Sequence, residues 1–476
     1  MKLRLFALFA LFSVCIVPAV GERYSGDNPL YPLAWYNKGV ALSELGRYDE
    51  AIKCYDNAIE LDPEYALAWN NKGIALSALG RREEALDCYN QSLEIEPDYS
   101  PAWNNKGVAL EALGRSEEAL QSYEKALEID PNYALVWNNK GGIFHNRGDY
   151  NQSIDCYEKA LEIDLRLKEA WNNMGRSLYA AGQYDRSLEC YEEALKLDPN
   201  YAMAWNNKGI TLGTLGRHQE ALKCYEETLK LDPGHVMALY NKGIALGILG
   251  SYDEALDCYE EVLRLDPNYA MAWYNKGVAL GTLGRFEDSI TSYEEALKLD
   301  PNYAAAWNNK GIAQGVLGRQ EEALQSYEEA LKLDPNYAMA WYNKGVALSA
   351  LVRYEEAVVC YDRALLIDPQ LKEAWNNKGI ALSALDRHEE AIKCYEKALE
   401  AEIEESDSEK LTEADLENDL DQFNDTELKG VPDPQNDLDK QNDTQARSGP
   451  DQQSPEVEID PGQVTDIDPE NDTVKA

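Results

Sequence analysis

The chain has 476 residues, 44% of them hydrophobic, with 86 acidic against 45 basic residues and a formal net charge of −41. A polyanion of that strength is repelled by nucleic acid and gains nothing from counterion release, which excludes DNA and RNA as partners and leaves neutral or basic protein segments. Length alone would allow several compact domains, but one strict internal period fills most of the sequence and leaves no stretch for a separate enzyme domain.

Residues 1–21 open with Lys2 and Arg4, continue through an apolar run from Leu5 to Val17 and close on Ala19-Val20-Gly21. That order of charge, apolar core and small residues predicts a secretory signal peptide, and with it export to the extracellular space or cell envelope. The competing reading is an uncleaved membrane anchor, the one way in which this chain would meet a bilayer, since the run is just short of a comfortable span. Cys15 lacks the Leu and small-residue lead-in of a lipoprotein signal, and residues 22–31 form a short leader.

From residue 32 the chain repeats every 34 residues. Trp stands at position 4 of each unit (Trp35, Trp69, Trp103, Trp137, Trp171, Trp205, Trp273, Trp307, Trp341 and Trp375), with Leu239 taking one turn. Eleven units without insertion run from 32–65 to 372–405, each with Gly at position 8 and Tyr at position 24. In the unit 202–235, Trp205, Gly209, Leu212 and Leu215 fall at helical spacing, as do Ala221, Tyr225 and Leu229. Gly216 between them marks a helix C-terminus and Asp232-Pro233 stops the second helix, so each unit reads as helix, turn, helix. A lone unit buries too few side chains to offset the entropy of ordering it, so the units must stack, Trp and Tyr of one against the next.

The pattern of Trp 4, Gly 8, Ala 20, Tyr 24, Ala 27 and Pro 32 resembles the tetratricopeptide repeat (TPR). The resemblance covers residues 32–405 and implies an all-α, right-handed superhelical solenoid of eleven helix-turn-helix repeats. Departures include Leu165 for the Pro, Leu239 for the Trp, Ser92, Thr228 and Val262 for the second Ala, and Val352 and Asp386 for the turn Gly. The last two are expected to loosen the turns of the final two repeats.

In that family the first helix of each repeat lines the concave side through positions 2, 5, 6, 9 and 12. Position 6 is Asn throughout: Asn37, Asn71, Asn105, Asn139, Asn173, Asn207, Asn241, Asn275, Asn309, Asn343 and Asn377. Position 5 alternates between Asn and Tyr (Tyr36, Tyr240, Tyr274, Tyr342), and position 2 is often Leu or Met. A row of carboxamides offers two donors and an acceptor per residue, enough to pair with the backbone of an extended peptide. This row resembles the asparagine ladder in the repeats of O-linked N-acetylglucosamine transferases, without their catalytic domain. The alternative is an asparagine ladder that only supports the fold.

Other signals point away from chemistry. Eight cysteines (Cys54, Cys88, Cys156, Cys190, Cys224, Cys258, Cys360, Cys394) share position 23; stacked equivalents lie about 10 Å apart, beyond disulfide reach, and read as small buried residues. The Lys at position 7 is expected to snorkel to a nearby acid rather than clamp a carboxylate. Arg147-Gly148-Asp149 is a turn, and the four histidines are scattered, only His218 and His235 sharing a repeat and those at opposite ends of its second helix, so no metal site, catalytic site, cofactor or small-molecule substrate is expected.

After the array, Thr412 and Asp415 cap a predicted helix over 406–424 whose Leu416, Leu420 and Phe423 would close the stack. Residues 406–476 carry 21 acidic against five basic side chains, and 425–476 are expected to be disordered. Asn424, Asn442 and Asn471 head glycosylation sequons there, joined by Asn90 and Asn151 in the array. The reading is thus a non-enzymatic scaffold binding extended protein segments. Its rivals are a self-associating envelope component and a substrate-recognition helper for a separate glycosyltransferase.

Overall fold

The computed structural model describes residues 32–402, and every described element is an α-helix or a short connection. Two helices form each repeat: Ala270–Thr282 and Phe286–Leu299 in repeat 8, for example, with the last repeat completed by a helix over 388–402. By its internal contacts the chain divides between Asn207 and Lys208 into two compact units, one holding repeats 1–5 and the start of repeat 6, the other the remainder through repeat 11. The signal, leader, capping helix and acidic tail, with Asn424, Asn442 and Asn471, lie outside the described residues.

Within each repeat the two helices are pressed together at Gly 8. A Cβ built on Gly277 would sit 2.6 Å from Cε1 of Tyr293, and the same collision recurs from Gly39 and Tyr55 to Gly379 and Tyr395. The tyrosine of position 24 therefore packs inside its own repeat, filling the space that a glycine leaves. Most of these rings are fully buried, each contributing roughly 2 kcal/mol or more of apolar burial.

The turn inside each repeat is a Schellman closure. In repeat 8 the N–H of Gly284 donates to Gly281 O (3.0 Å) and that of Arg285 to Leu280 O (2.8 Å), with Gly284 at φ +75°. Val352 and Asp386 hold the same position at φ 61° and 55°. Contrary to expectation their turns are not loosened: Val352 N–H donates to Ser349 O and Arg353 N–H to Leu348 O, both at 2.9 Å. The flanking helices dictate the backbone, and the non-glycine side chains carry strain instead.

Between repeats the tryptophan acts as a latch. Its indole N–H donates to the carbonyl of position 32 in the connection just before it, as Trp307 does to Pro301 O at 3.1 Å. Trp171 makes the same bond to Leu165 O at 3.0 Å. Only a backbone carbonyl is needed there, which is why a leucine can replace the proline. The Asp before it fixes the connection from the other side, Asp300 Oδ1 accepting from Asn302 N–H at 2.9 Å.

The position-23 cysteines are free and buried, as their spacing implied. Burial pushes the thiols of Cys88, Cys156, Cys224 and Cys360 up to about 11, so they carry no thiolate at neutral pH.

Candidate functional site

The asparagine row forms, and its amides bond within the fold. In the first unit the side-chain amide of Asn71 donates to Tyr36 Oη (2.9 Å), Asn105 to Asn70 Oδ1 (3.0 Å), Asn139 to Asn104 (3.1 Å), Asn173 to Asn138 (3.1 Å) and Asn207 to Asn172 (3.0 Å). In the second unit Asn275 donates to Tyr240 Oη (2.8 Å), Asn309 to Tyr274 Oη (3.0 Å), Asn343 to Asn308 Oδ1 (3.0 Å) and Asn377 to Tyr342 Oη (3.0 Å). In these nine cases position 6 of one repeat donates to position 5 of the repeat before, and Asn or Tyr serves at position 5 because each offers an oxygen at that reach; Asn206 Oδ1, at position 5 of repeat 6, is buried without a partner, so Asn241 makes no such bond.

Where position 5 is Asn, its own amide turns back onto its neighbour's oxygen, as Asn70 does to Asn71 Oδ1 (3.1 Å) and Asn308 to Asn309 Oδ1 (3.1 Å). Tyr274 cannot make that return donation, and Asn275 Oδ1 is left buried without a partner. Tyr240 and Tyr274 are buried to 1% exposure, and Tyr36 and Tyr342 are half-buried. Asn275 and Asn309 are buried, Asn37 is exposed, and the remaining position-6 asparagines are half-buried.

The surface beside the row is apolar. Positions 2, 6, 9 and 13 of the first helix fall within roughly 60° of one another on a helical wheel, so they share one face. On it Ile74, Val108, Val346 and Ile380 at position 9 are 40–52% exposed, and Ile248 and Val316 at position 13 are 45% and 59% exposed. The family resemblance already places position 9 on this side, but sequence reasoning misses position 13, although a spacing of four, three and four signals it. Gly142 and Arg176 interrupt the line in repeats 4 and 5.

On the opposite face of the same helices lies a charged column. Lys 7 stands over the Trp of its own repeat, Lys310 at 5.3 Å from the Trp307 ring, and pairs with the acid at position 25 of the preceding repeat. Lys72 meets Asp56 at 2.7 Å, Lys140 Glu124 at 3.1 Å, Lys276 Glu260 at 2.9 Å, Lys310 Glu294 at 2.9 Å and Lys344 Glu328 at 3.0 Å. The expected snorkelling is present.

Tetratricopeptide repeat models match residues 32–65, 66–99, 100–133, 338–371 and 373–402, 132–199, 166–234 and 200–268, and 249–304 and 274–338. The chain belongs to the tetratricopeptide repeat family. Among solved structures it is similar to MamA (27% identity, 35% of this chain and 96% of that one, TM-score 0.33). It is also similar to pilF of Pseudomonas aeruginosa (20%, 42% and 92%, TM-score 0.40) and to YrrB, a TPR protein with an unusual peptide-binding site (25%, 40% and 98%, TM-score 0.35). No curated protein matches the chain.

TPR folds of this kind are typically interaction scaffolds rather than catalysts. Among the described residues no group of three or more His, Cys, Asp and Glu is placed to hold a metal ion, and no helix is long and apolar enough to cross a membrane. One polar cluster does assemble that sequence reasoning misses. His145 Nδ1 lies 2.9 Å from Ser177 Oγ, which is itself 2.9 Å from Ser153 Oγ. All three are buried, and Ser153 and Ser177 donate onward to Gly141 O and Asn173 O. With their hydrogen bonds turned inward, they tie repeat 4 to repeat 5.

Proposed function

We propose that this TPR chain is an exported, non-enzymatic scaffold that takes an extended, neutral or basic protein segment along the apolar face of its first helices. The observation that carries the reading is the exposed column of Ile248, Val316, Val346 and Ile380 beside a polar row that is already hydrogen-bonded. The asparagines hold the repeats in register, and their remaining lone pairs edge the face. Branched apolar side chains supply most of the grip, and the net charge of −41 favours a basic partner over an acidic one.

Alanine at Asn275 would remove an inter-repeat bond together with any ligand contact, so it does not separate the two roles. A photo-reactive amino acid at Val316 in the full chain, followed by cross-linking in the native envelope fraction and mass spectrometry, does. Products joining position 316 to an extended segment of another protein support the proposal, and Val316→Arg with the label moved to position 346 should abolish them. Products joining it only to a second copy of this chain would replace it with self-association, and transferase activity in the purified chain would overturn the non-enzyme reading.

A further inference from the structure

On its acidic side the charged column has one gap. Position 25 is acidic in every repeat but the second, where it is Asn90. The lysine that would receive that acid is Lys106, on the first helix of repeat 3 (Ser100–Ala112). Lys106 Nζ stands 5.0 Å from the Trp103 ring like its counterparts, but it makes no ion pair. A cavity of about 390 Å³ opens beside it, with Trp103, Leu110 and Ser122 among its walls.

The other charges around the cavity are already matched. Glu118 pairs with Arg115 at 2.7 Å, Glu124 with Lys140 at 3.1 Å and Glu128 with Lys125 at 2.6 Å. Lys106 is the one charge lining this cavity that lacks a counter-charge. Burial draws its pKa below the ordinary lysine value, and the more distant charge of Glu118 offsets that only in part.

The chain also meets the converse defect and repairs it. In repeat 5 Met174 replaces the lysine, and Glu158, deprived of it, lies 3.4 Å from Arg186. Met174 is 7% exposed, so an apolar side chain fits this slot. No equivalent repair reaches Lys106.

We propose that the cavity beside Trp103 and Lys106 is a carboxylate-binding site, in which a ligand carboxylate supplies Lys106 with the counter-charge that residue 25 of the preceding repeat gives other lysines of the column, its apolar body resting on Trp103. Positions 4, 7 and 11 point away from positions 2, 6, 9 and 13, so the site is separate from the face proposed to hold a partner segment. The carboxylate comes either from a separate molecule or from the acidic residues 406–476 of the chain itself.

The test uses the full chain and trace acetylation by acetic anhydride at neutral pH, quantified lysine by lysine. Lys106 should label several-fold faster than Lys72 or Lys140, and benzoate, but not neutral benzamide, should slow Lys106 several-fold while leaving the other two unchanged. Asn90→Asp should bring Lys106 to the rate of Lys72 and abolish the effect of benzoate. Lys106→Met, which copies Met174, should keep the helical circular dichroism and lose the heat of benzoate binding. In the absence of benzoate, carbodiimide coupling of Lys106 to a residue within 406–476 identifies the tail as the source, and its absence alongside benzoate protection identifies a separate molecule. Equal protection by benzamide, undiminished protection in Asn90→Asp, or no protection together with no tail coupling would each overturn the proposal.

Discussion

Asn275 donates its side-chain amide to the hydroxyl of Tyr240 at 2.8 Å, across the junction of repeats 7 and 8, with both side chains buried. The oxygen of that carboxamide has no partner, so this single bond is all that satisfies the side chain of Asn275. Tyr240→Phe keeps the ring and removes the acceptor. It should destabilise the junction by about 1–3 kcal/mol, the cost of leaving a buried amide unpaired. Because repeat arrays unfold in parts, the measurement is hydrogen exchange in repeats 7 and 8 beside the urea midpoint; unchanged exchange there would mean that the bond contributes nothing.

Two glycines on neighbouring first helices should respond to alanine in opposite directions. Gly277→Ala drives a methyl to within 2.6 Å of the buried Tyr293 ring and should cost about 1–3 kcal/mol through overpacking. A methyl added at Gly247 would meet nothing within 4 Å, so Gly247→Ala should gain up to about 1 kcal/mol of helix propensity. Paired thermal melts of the two variants check this.

Val352 holds a left-handed turn position at φ 61° that nine other repeats give to glycine. A β-branched residue there carries about 1–2 kcal/mol of strain. Val352→Gly should therefore raise the melting temperature, even though the new residue is the more flexible one in the unfolded chain.

Leu165 lies in the position-32 slot with its N–H outside any backbone bond, and the preceding Asp164 has φ −138° and ψ 95°, close to the −140° and 97° of Asp198 before Pro199. Leu165→Pro fits this backbone and leaves the Trp171 latch intact. A gain of about 0.4–1 kcal/mol is expected from the stiffer unfolded chain, read as a higher denaturation midpoint.

His145 gives the first unit a pH dependence. Burial, with Arg176 nearby, pushes the imidazole down to about 4 from its ordinary 6.5. The unfolded chain therefore binds the extra proton first: the stability is fully present above pH 6.5 and is lost as pH falls from there through 4. The loss should be on the order of 1–3 kcal/mol. Ser153, Ser177, the Tyr150 ring and Arg176 surround the ring, and the half-buried Glu111, whose carboxyl is raised by desolvation, works in the opposite sense. Urea midpoints at pH 7 and 5, compared between the native chain and His145→Gln, isolate the histidine; an equal acid sensitivity in both would remove it as the cause.

The 34-residue period determined the fold by itself. Trp 4, Gly 8, Tyr 24 and Pro 32 each answer to a local demand, such as a helix stop, a close crossing or an indole latch, and a demand repeated eleven times is legible in one dimension. The lysine column was legible too, because its partner acids recur at the same spacing. What only tertiary structure decided was where each hydrogen bond goes. A row of asparagines looks alike whether its amides face a ligand or the next repeat, and the choice depends on a reach of 35 residues between adjacent helices that composition does not reveal. The burial of Tyr240 and Tyr274, the exposure of Val316, and the meeting of His145 with Ser177 have the same origin. Each depends on how one repeat lies against its neighbour, a distance set by packing rather than by period.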